Sequence, residues 1–191
     1  MEKRNWRVRS ETCAYRNEPW LTVWEQEVEL PNGTVIPDYL VTRIPDVAMI
    51  FAVTPDNQVL LVEQYKHGVG RWLYDLPAGY IDAGEDPFEA ARRELREETG
   101  HDTDDWSPLC EVYFDENRNA RKFYYYLARG AHHCTEQNLD ATEEIRVHRV
   151  PVAELPGWIQ RGDLCGMHSS LGALRGLCAL NQLTPAKGET Q

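Results

Sequence analysis

Glu94, Glu97 and Glu98 stand within five residues of one another, behind a loop that carries Gly79. Carboxylate oxygens at such density are the hard donors that magnesium and manganese take. On a helix turning about 100° per residue, Glu94 and Glu98 share a face and Glu97 lies at its edge. Like charges four residues apart repel, more so when partly buried. Such a cluster therefore either serves a cation or is a solvated Glu/Arg face that water screens, and helix composition alone favours the second.

The element that must present these side chains has clear ends. Asp86 before Pro87 predicts an N-cap with proline at the first helical position, and Glu89 three residues on completes a capping box. Gly100 is placed to close the helix as a left-handed cap. Phe88, Ala91 and Leu95 form a separate apolar stripe that docks the helix on a core.

The rest of the chain reads as a frame for this helix. At 191 residues it is one domain or a domain with a small appendage. Hydrophobic residues make up 42% and charged residues 27%, with a net charge of -11. That balance argues against a nucleic-acid surface, which is usually basic, and leaves a phosphate-rich substrate in need of added positive charge. MEKRNWRVRS has no apolar run behind its charges, so neither a signal peptide nor a membrane span is expected. The five cysteines, Cys13, Cys110, Cys134, Cys165 and Cys178, lack CxxC spacing and read as reduced cytoplasmic thiols.

Residues 6–45 read as strands with a hairpin turning at Pro31-Asn32-Gly33. Val47 to Val53 is a continuous apolar run that suits a strand buried on both sides, and Val59 to Gln64 is its partner. Short strands are expected at Trp72 to Leu76, Leu109 to Phe114, Lys122 to Ala128 and Glu144 to Val150, with the polar DENRNAR stretch between the middle two. Pro151 to Arg161 suits a short helix. Met167 to Leu183 suits a closing helix with Leu171, Leu174 and Cys178 on its apolar side. His132-His133-Cys134 reads as a surface loop, because adjacent residues make a poor chelate. His148 and His168 read as packing or surface residues. Strands interleaved with helices fit a mixed sheet between helices, an α/β/α sandwich.

Written as spacing, Leu76 to His101 resembles the Nudix box, G-x5-E-x7-R-E-U-x-E-E-x-G-U with U a bulky aliphatic. Eight of its nine specified positions match, and only His101 departs, standing where the family has an aliphatic. The resemblance implies a Nudix α/β/α sandwich preceded by a small N-terminal antiparallel β extension. It divides the chain into an extension over 1–45, a Nudix hydrolase domain over 46–183 and a flexible tail over 184–191. It also implies Glu94, Glu97, Glu98 and the Ala78 carbonyl as ligands for Mg2+, with Mn2+ as substitute. Gly79 would let the backbone approach metal and diphosphate, and Arg93 would orient Glu97 or Glu85.

Glu63-Gln64-Tyr65-Lys66 and Asp75-Leu76-Pro77-Ala78-Gly79 are similar to the ADP-ribose pyrophosphatase branch. Lys66, where that branch often has Arg, keeps a phosphate-attracting charge without the bidentate fork. Asp75 replaces the usual Glu. Thr142 to His148 resembles the segment supplying a catalytic glutamate, which places that role on Glu143, with Glu144 next. The implied reaction is hydrolysis of a nucleoside diphosphate sugar, ADP-ribose to AMP and ribose 5-phosphate, in a cytoplasmic homodimer whose N-terminal strands exchange between subunits. Two other classes stay open: a Nudix hydrolase of GDP-mannose, a dinucleotide or a damaged nucleoside triphosphate, and a non-catalytic nucleotide sensor. The proline that often marks ADP-ribose preference is absent from Tyr113 to Asn117. The DENRNAR loop reads equally as a sugar contact or a solvated hairpin tip.

Overall fold

The computed structural model describes residues 5–182, which fall into two compact units, one built on 5–46 with 112–122 and the other on 47–111 with 123–182. In the first unit, β1 (Arg7–Asn17), β2 (Leu21–Glu29) and β3 (Val35–Arg43) form an antiparallel sheet in that order. The register runs Arg7 opposite Glu29 to Asn17 opposite Leu21, with two irregularities. Almost every residue of β1 is exposed.

The second unit holds a seven-stranded mixed sheet. β4 (Val47–Val53) is buried along its whole length, as its unbroken apolar run predicts. Beside it in the sheet are β5 (Gln58–Lys66) on one side, carrying β6 (Arg71–Asp75), and further strands on the other. β7 (Ala78–Tyr80) pairs with the start of β4, Gly79 opposite Ala48. After α1 (Pro87–Thr99) and the two-residue β8 (His101–Asp102) comes the hairpin of β9 (Asp105–Asp115) and β10 (Asn119–Arg129), with β10 parallel to β4. The polar stretch is thus mostly strand, and only Glu116–Arg118 turn. β11 (His132–His133) pairs with β8, so the expected surface loop is a short strand whose two histidines are exposed. β12 (Ile145–Pro151) pairs with β5, and a 3-10 turn, α2 (Leu155–Arg161) and α3 (Met167–Ala179) follow.

The sandwich arises from the two faces of β4. Ala48, Ile50 and Ala52 point to one side and cluster with Ala90, Ala91 and Leu95 of α1. Phe51 points to the other and meets α3 at Gly176, where a Cβ would lie 2.3 Å from the ring. The buried side of α3 is Ser169, Gly172, Ala173, Gly176 and Leu177. This corrects the expected stripe: Leu174 is 39% exposed and Cys178 is exposed. Large aromatics on the sheet demand small residues on the helix, so the helix docks by its glycines. α3 ends at Ala179; Leu183 and the tail over 184–191 lie outside the described residues. Among the described residues no helix is long and apolar enough to cross a membrane.

Candidate active site

α1 is set as its sequence ends predict. The Asp86 carboxylate accepts the N–H groups of Phe88 and Glu89, and Gly100 closes the helix at φ 69° while donating to the Arg96 carbonyl. The helix buries Ala90, Ala91 and Leu95 on β4, which turns the glutamates toward β7 and the loop before it. Gly79 is where backbone and carboxylate come closest. A Cβ there would lie 1.9 Å from the nearer Glu94 oxygen, so any larger residue collides with that side chain.

Arg93 organises the carboxylates around it. Its Nε and Nη2 donate to the two oxygens of Glu85 at 2.9 and 3.0 Å, and Nη2 also reaches the Tyr80 carbonyl at 3.0 Å. Nη1 donates to Glu94 at 2.7 Å and to Glu97 at 3.0 Å. One guanidinium therefore binds the loop to the helix and faces three anions. Glu85 feels it most: its hydrogen bonds from Arg93 hold its carboxyl below the usual range. Glu94 does not gain the same relief. Burial pushes its carboxyl up to about 7, against the attraction of Arg93 and with the repulsion of Glu97 and Glu143.

Glu98 is the extreme case. It is 5% exposed. It accepts the Ala78 N–H at 2.9 Å, and no arginine or lysine among the described residues pairs with it. Burial, then the neighbouring Glu94 charge, raises its carboxyl well above the ordinary range, with Glu143 adding to the push. The structure thus brings Glu143 into electrostatic reach of both Glu94 and Glu98. Glu143 lies in an exposed turn, where its carboxylate accepts the Asp140 N–H at 3.1 Å and its own N–H donates to the Asp140 carbonyl. Glu144 instead pairs with Arg146 in the open. Lys66 adds a weak attraction on Glu98 while held by Gln64 at 2.6 Å and Asp75 at 3.3 Å. Asp75 is fixed in turn by the Ser169 hydroxyl at 2.7 Å, which itself accepts the Leu76 N–H.

Among the described residues no three carboxylate, imidazole or thiolate groups converge closely enough to hold a metal ion as they stand. The donor set nevertheless fits a hard divalent cation. Glu94 and Glu98 are desolvated carboxylates with too little positive charge near them, and a dication is the group that would let both ionise. Glu97 is a third oxygen donor, held only by the arginine and a third exposed, so it is free to turn. A hollow of about 440 Å³ runs beside it, between Arg92 and Arg96 on one side and Thr135 and Asn138 on the other.

Three groupings were not legible from spacing. His101 is buried at 3% exposure between Thr99, Arg149 and His133, where an aliphatic was the family expectation. His148 Nε2 lies 2.9 Å from a Glu63 carboxylate oxygen, which accepts, and the ring packs edge-on against Tyr74. His168 stacks flat on Phe123 at 3.6 Å. In the first unit, the turn of the polar hairpin is tied to β3: the Tyr39 hydroxyl donates to the Asn117 carbonyl and Asn119 donates to Thr42. Glu116 and Asn119 there line a cavity of about 580 Å³ with Arg43 and Tyr113.

The chain's relatives agree with this picture at the level of family. Residues 43–165 match the NUDIX domain, and residues 6–41 match the nucleoside diphosphate sugar hydrolase N-terminal domain. The ADP-ribose pyrophosphatase of Mycobacterium tuberculosis (strain ATCC 25618 / H37Rv) is 30% identical over 150 residues, covering 78% of this chain and 72% of that protein. The CMP-5'-(N-acetyl-N-hydroxy-3-aminopropyl)phosphonate hydrolase of Streptomyces rubellomurinus (strain ATCC 31215) is 33% identical over 169 residues, covering 88% and 81%. Among solved structures, one described as an ADP compounds hydrolase superposes with a TM-score of 0.79 at 20% identity, covering 93% of this chain and 97% of the other, which is a likeness of fold.

Proposed function

As a chain that belongs to the NUDIX domain family, this protein is a Nudix hydrolase, and we propose that it cleaves the pyrophosphate bond of a nucleoside diphosphate sugar with magnesium, ADP-ribose giving AMP and ribose 5-phosphate. The observation that carries this reading is the pair of desolvated, under-compensated carboxylates, half-buried Glu94 and buried Glu98, behind the bare backbone of Gly79 with Glu143 in reach. The substrate class is supported by the N-terminal match and by the name of the Mycobacterium tuberculosis relative.

Glu94, Glu97, Glu98 and the Ala78 carbonyl would hold Mg2+, or Mn2+ in its place. When bound, such an ion neutralises phosphate oxygens and lowers the pKa of a water. The chain's own groups supply the rest. Gly79 leaves the space in which the Glu94 carboxylate sits against the backbone. Arg93 fixes Glu85, and with it the loop, on the helix. Lys66 presents positive charge to the diphosphate. Glu143 takes a proton from the attacking water as its oxygen bonds to phosphorus and the bridging P–O bond breaks.

The Streptomyces rubellomurinus relative favours a second reading, hydrolysis of a different nucleotide derivative, because its alignment covers more of the chain. A magnesium-dependent comparison of kcat/KM for ADP-ribose, GDP-mannose, a CMP-phosphonate, NADH, a diadenosine polyphosphate and 8-oxo-dGTP decides between them. ADP-ribose among the best supports the first; a CMP-phosphonate far ahead of it supports the second. A homodimer belongs to the same proposal, motivated by the exposure of Trp6, Val8, Tyr15 and Trp20 in and around β1 and β2. Sedimentation of a single 22.0 kDa species would remove that part. The cytoplasm is its proposed place, in keeping with five free cysteines.

A further inference from the structure

A helix of this kind leaves its last carbonyls without partners inside the helix, and each one at the end of α1 is met. The Thr99 hydroxyl donates to Leu95, and the Gly100 N–H to Arg96. The Asn138 N–H donates to the Glu97 carbonyl at 2.9 Å, and the N–H groups of Cys134 and Thr135 converge on Gly100. Glu98, the most buried of the carboxylates, is met differently. Its carbonyl accepts from a side chain, Nε2 of Gln137 at 2.5 Å. The same nitrogen faces the Ile145 carbonyl at 3.4 Å.

An amide nitrogen carries two hydrogens, so one Gln137 reaches both carbonyls at once. Those carbonyls are the two ends of the problem the site must solve. One belongs to the residue whose carboxylate is buried beside Glu94. The other opens β12, two residues after Glu143. The chain between Gln137 and Ile145 is a loop that carries Glu143 at its far end, and its start is already fastened by Asn138 to the Glu97 carbonyl. The segment lies directly against the helix end at Gly100, where a Cβ would come within 2.2 Å of the Thr135 carbonyl oxygen.

We infer that Gln137 is a positioning residue for the hydrolysis, a clip that closes the 138–144 loop on the end of α1 and so fixes where Glu143 stands relative to Glu94 and Glu98. The inference rests on Glu143 as proton acceptor. Gln137 itself touches no reacting atom; it acts through the loop. Gln137 is an exposed residue outside the hydrophobic core, so its replacement leaves the core intact.

The test compares Gln137→Met, which keeps length and loses both hydrogens, with Gln137→Lys, which keeps a donor of similar reach. In the metal-free full chain, hydrogen exchange of Gln137→Met is faster across 138–144 and unchanged in β4. With magnesium, its kcat falls by about tenfold or more while KM stays within about twofold, the pattern of a contact that matters in the transition state. Gln137→Lys recovers most of the loss. Added to Glu143→Gln, the Met change costs nothing further, because the group it positions is gone. Unchanged exchange at 138–144, or a Met effect that persists undiminished beside Glu143→Gln, overturns the inference. If the wild-type chain turns over none of the nucleotides, the functional reading fails, and the exchange result still decides the clip.

Discussion

Arg43 and Arg93, one in each unit, both anchor carboxylates, and they do so to opposite effect. In the N-terminal sheet, Arg43 donates to both oxygens of Glu11 at 2.8 Å and lies over the Trp24 ring at 4.4 Å. One cation meets one anion in the open, and Glu11, helped first by the Gln26 amide and then by Arg43, sits below its ordinary pKa. At α1, Arg93 meets Glu85, Glu94 and Glu97 together, with Glu98 buried just beyond its reach. There the carboxylates farthest from water rise, Glu94 to about 7 and Glu98 well above the ordinary range. The first arrangement is complete as a strap between strands. The second has a deficit of positive charge built into it, and such perturbed carboxylates mark sites that await a cation or a proton.

The sharpest way to break this comparison is to neutralise one carboxylate of each cluster. Glu98→Gln keeps the acceptor for the Ala78 N–H and removes only the charge. Its kcat is expected to fall by roughly two to three orders of magnitude, the scale on which single transition-state charge contacts act. Its metal-free Tm should be no lower than that of the wild type, since a carboxyl whose ionisation burial disfavours is replaced by a neutral amide of the same shape. Glu11→Gln should leave kcat unchanged and Tm little altered, as expected for an exposed pair. Near-normal turnover in Glu98→Gln, or a loss in Glu11→Gln of the same size, would erase the distinction between the two clusters.

A steric change comes next. Gly79→Ala sets a methyl where the Glu94 carboxylate lies, at a separation no pair of atoms tolerates, so the side chain must leave. Activity should drop by roughly tenfold to a hundredfold, as when groups that orient a metal ligand are disturbed. Titration of Mn2+ by electron paramagnetic resonance should show weaker binding. Unaltered Mn2+ affinity would take Glu94 out of the ligand set.

A smaller effect concerns pH in the absence of metal. Glu94 binds its proton more tightly folded than unfolded, because burial has raised its carboxyl to about 7 from 4.5. Below 4.5 both states hold the proton and the stabilisation is whole. As pH rises toward 7 the unfolded chain ionises first, and stability declines across that window. Glu94→Gln should flatten the decline, and magnesium should reverse it in the wild type. A metal-free Tm with the same slope in both proteins would remove the shift assigned to Glu94.

Much of the architecture was legible because local and global signals agree. The unbroken run of Val47–Val53 suits a strand covered on both faces, and Asp86-Pro87 and Gly100 bracket α1 with the residues that caps require. The α3 face was misread because helical spacing of leucines ignores what they must pack on. Phe51, Leu76 and Tyr125 already fill the interface, so Gly172 and Gly176 take the inner positions and Leu174 turns out. At the site, the pattern of glutamates was visible while their unequal burial was not. Nor could spacing reveal the partners that arrive from far along the chain, such as Ser169 on Asp75 or the 134–138 segment on the end of α1.

His101 marks the gentlest test, because it is where the chain leaves the pattern of its box. Its Nδ1 lies 2.7 Å from the Thr99 carbonyl, which only accepts, and its Nε2 lies 3.1 Å from the Arg149 guanidinium, which only donates. The ring is therefore neutral with its proton on Nδ1. A second proton would face the guanidinium in a buried site, and burial, then Arg149 and the nearby histidines, hold its pKa below 6.5. The unfolded chain takes up that proton first as pH falls, so the wild type loses stability below 6.5 until the folded ring titrates too. His101→Leu restores the aliphatic side chain that the box pattern has there and cannot titrate. Its Tm should fall less between pH 7 and pH 5 than that of the wild type, while kcat at neutral pH changes little, because the ring lies beyond the Gly100 cap and faces no carboxylate of the site. Equal slopes would show that the contacts of His101 with Thr99 and Arg149 exert no preference between its two protonation states.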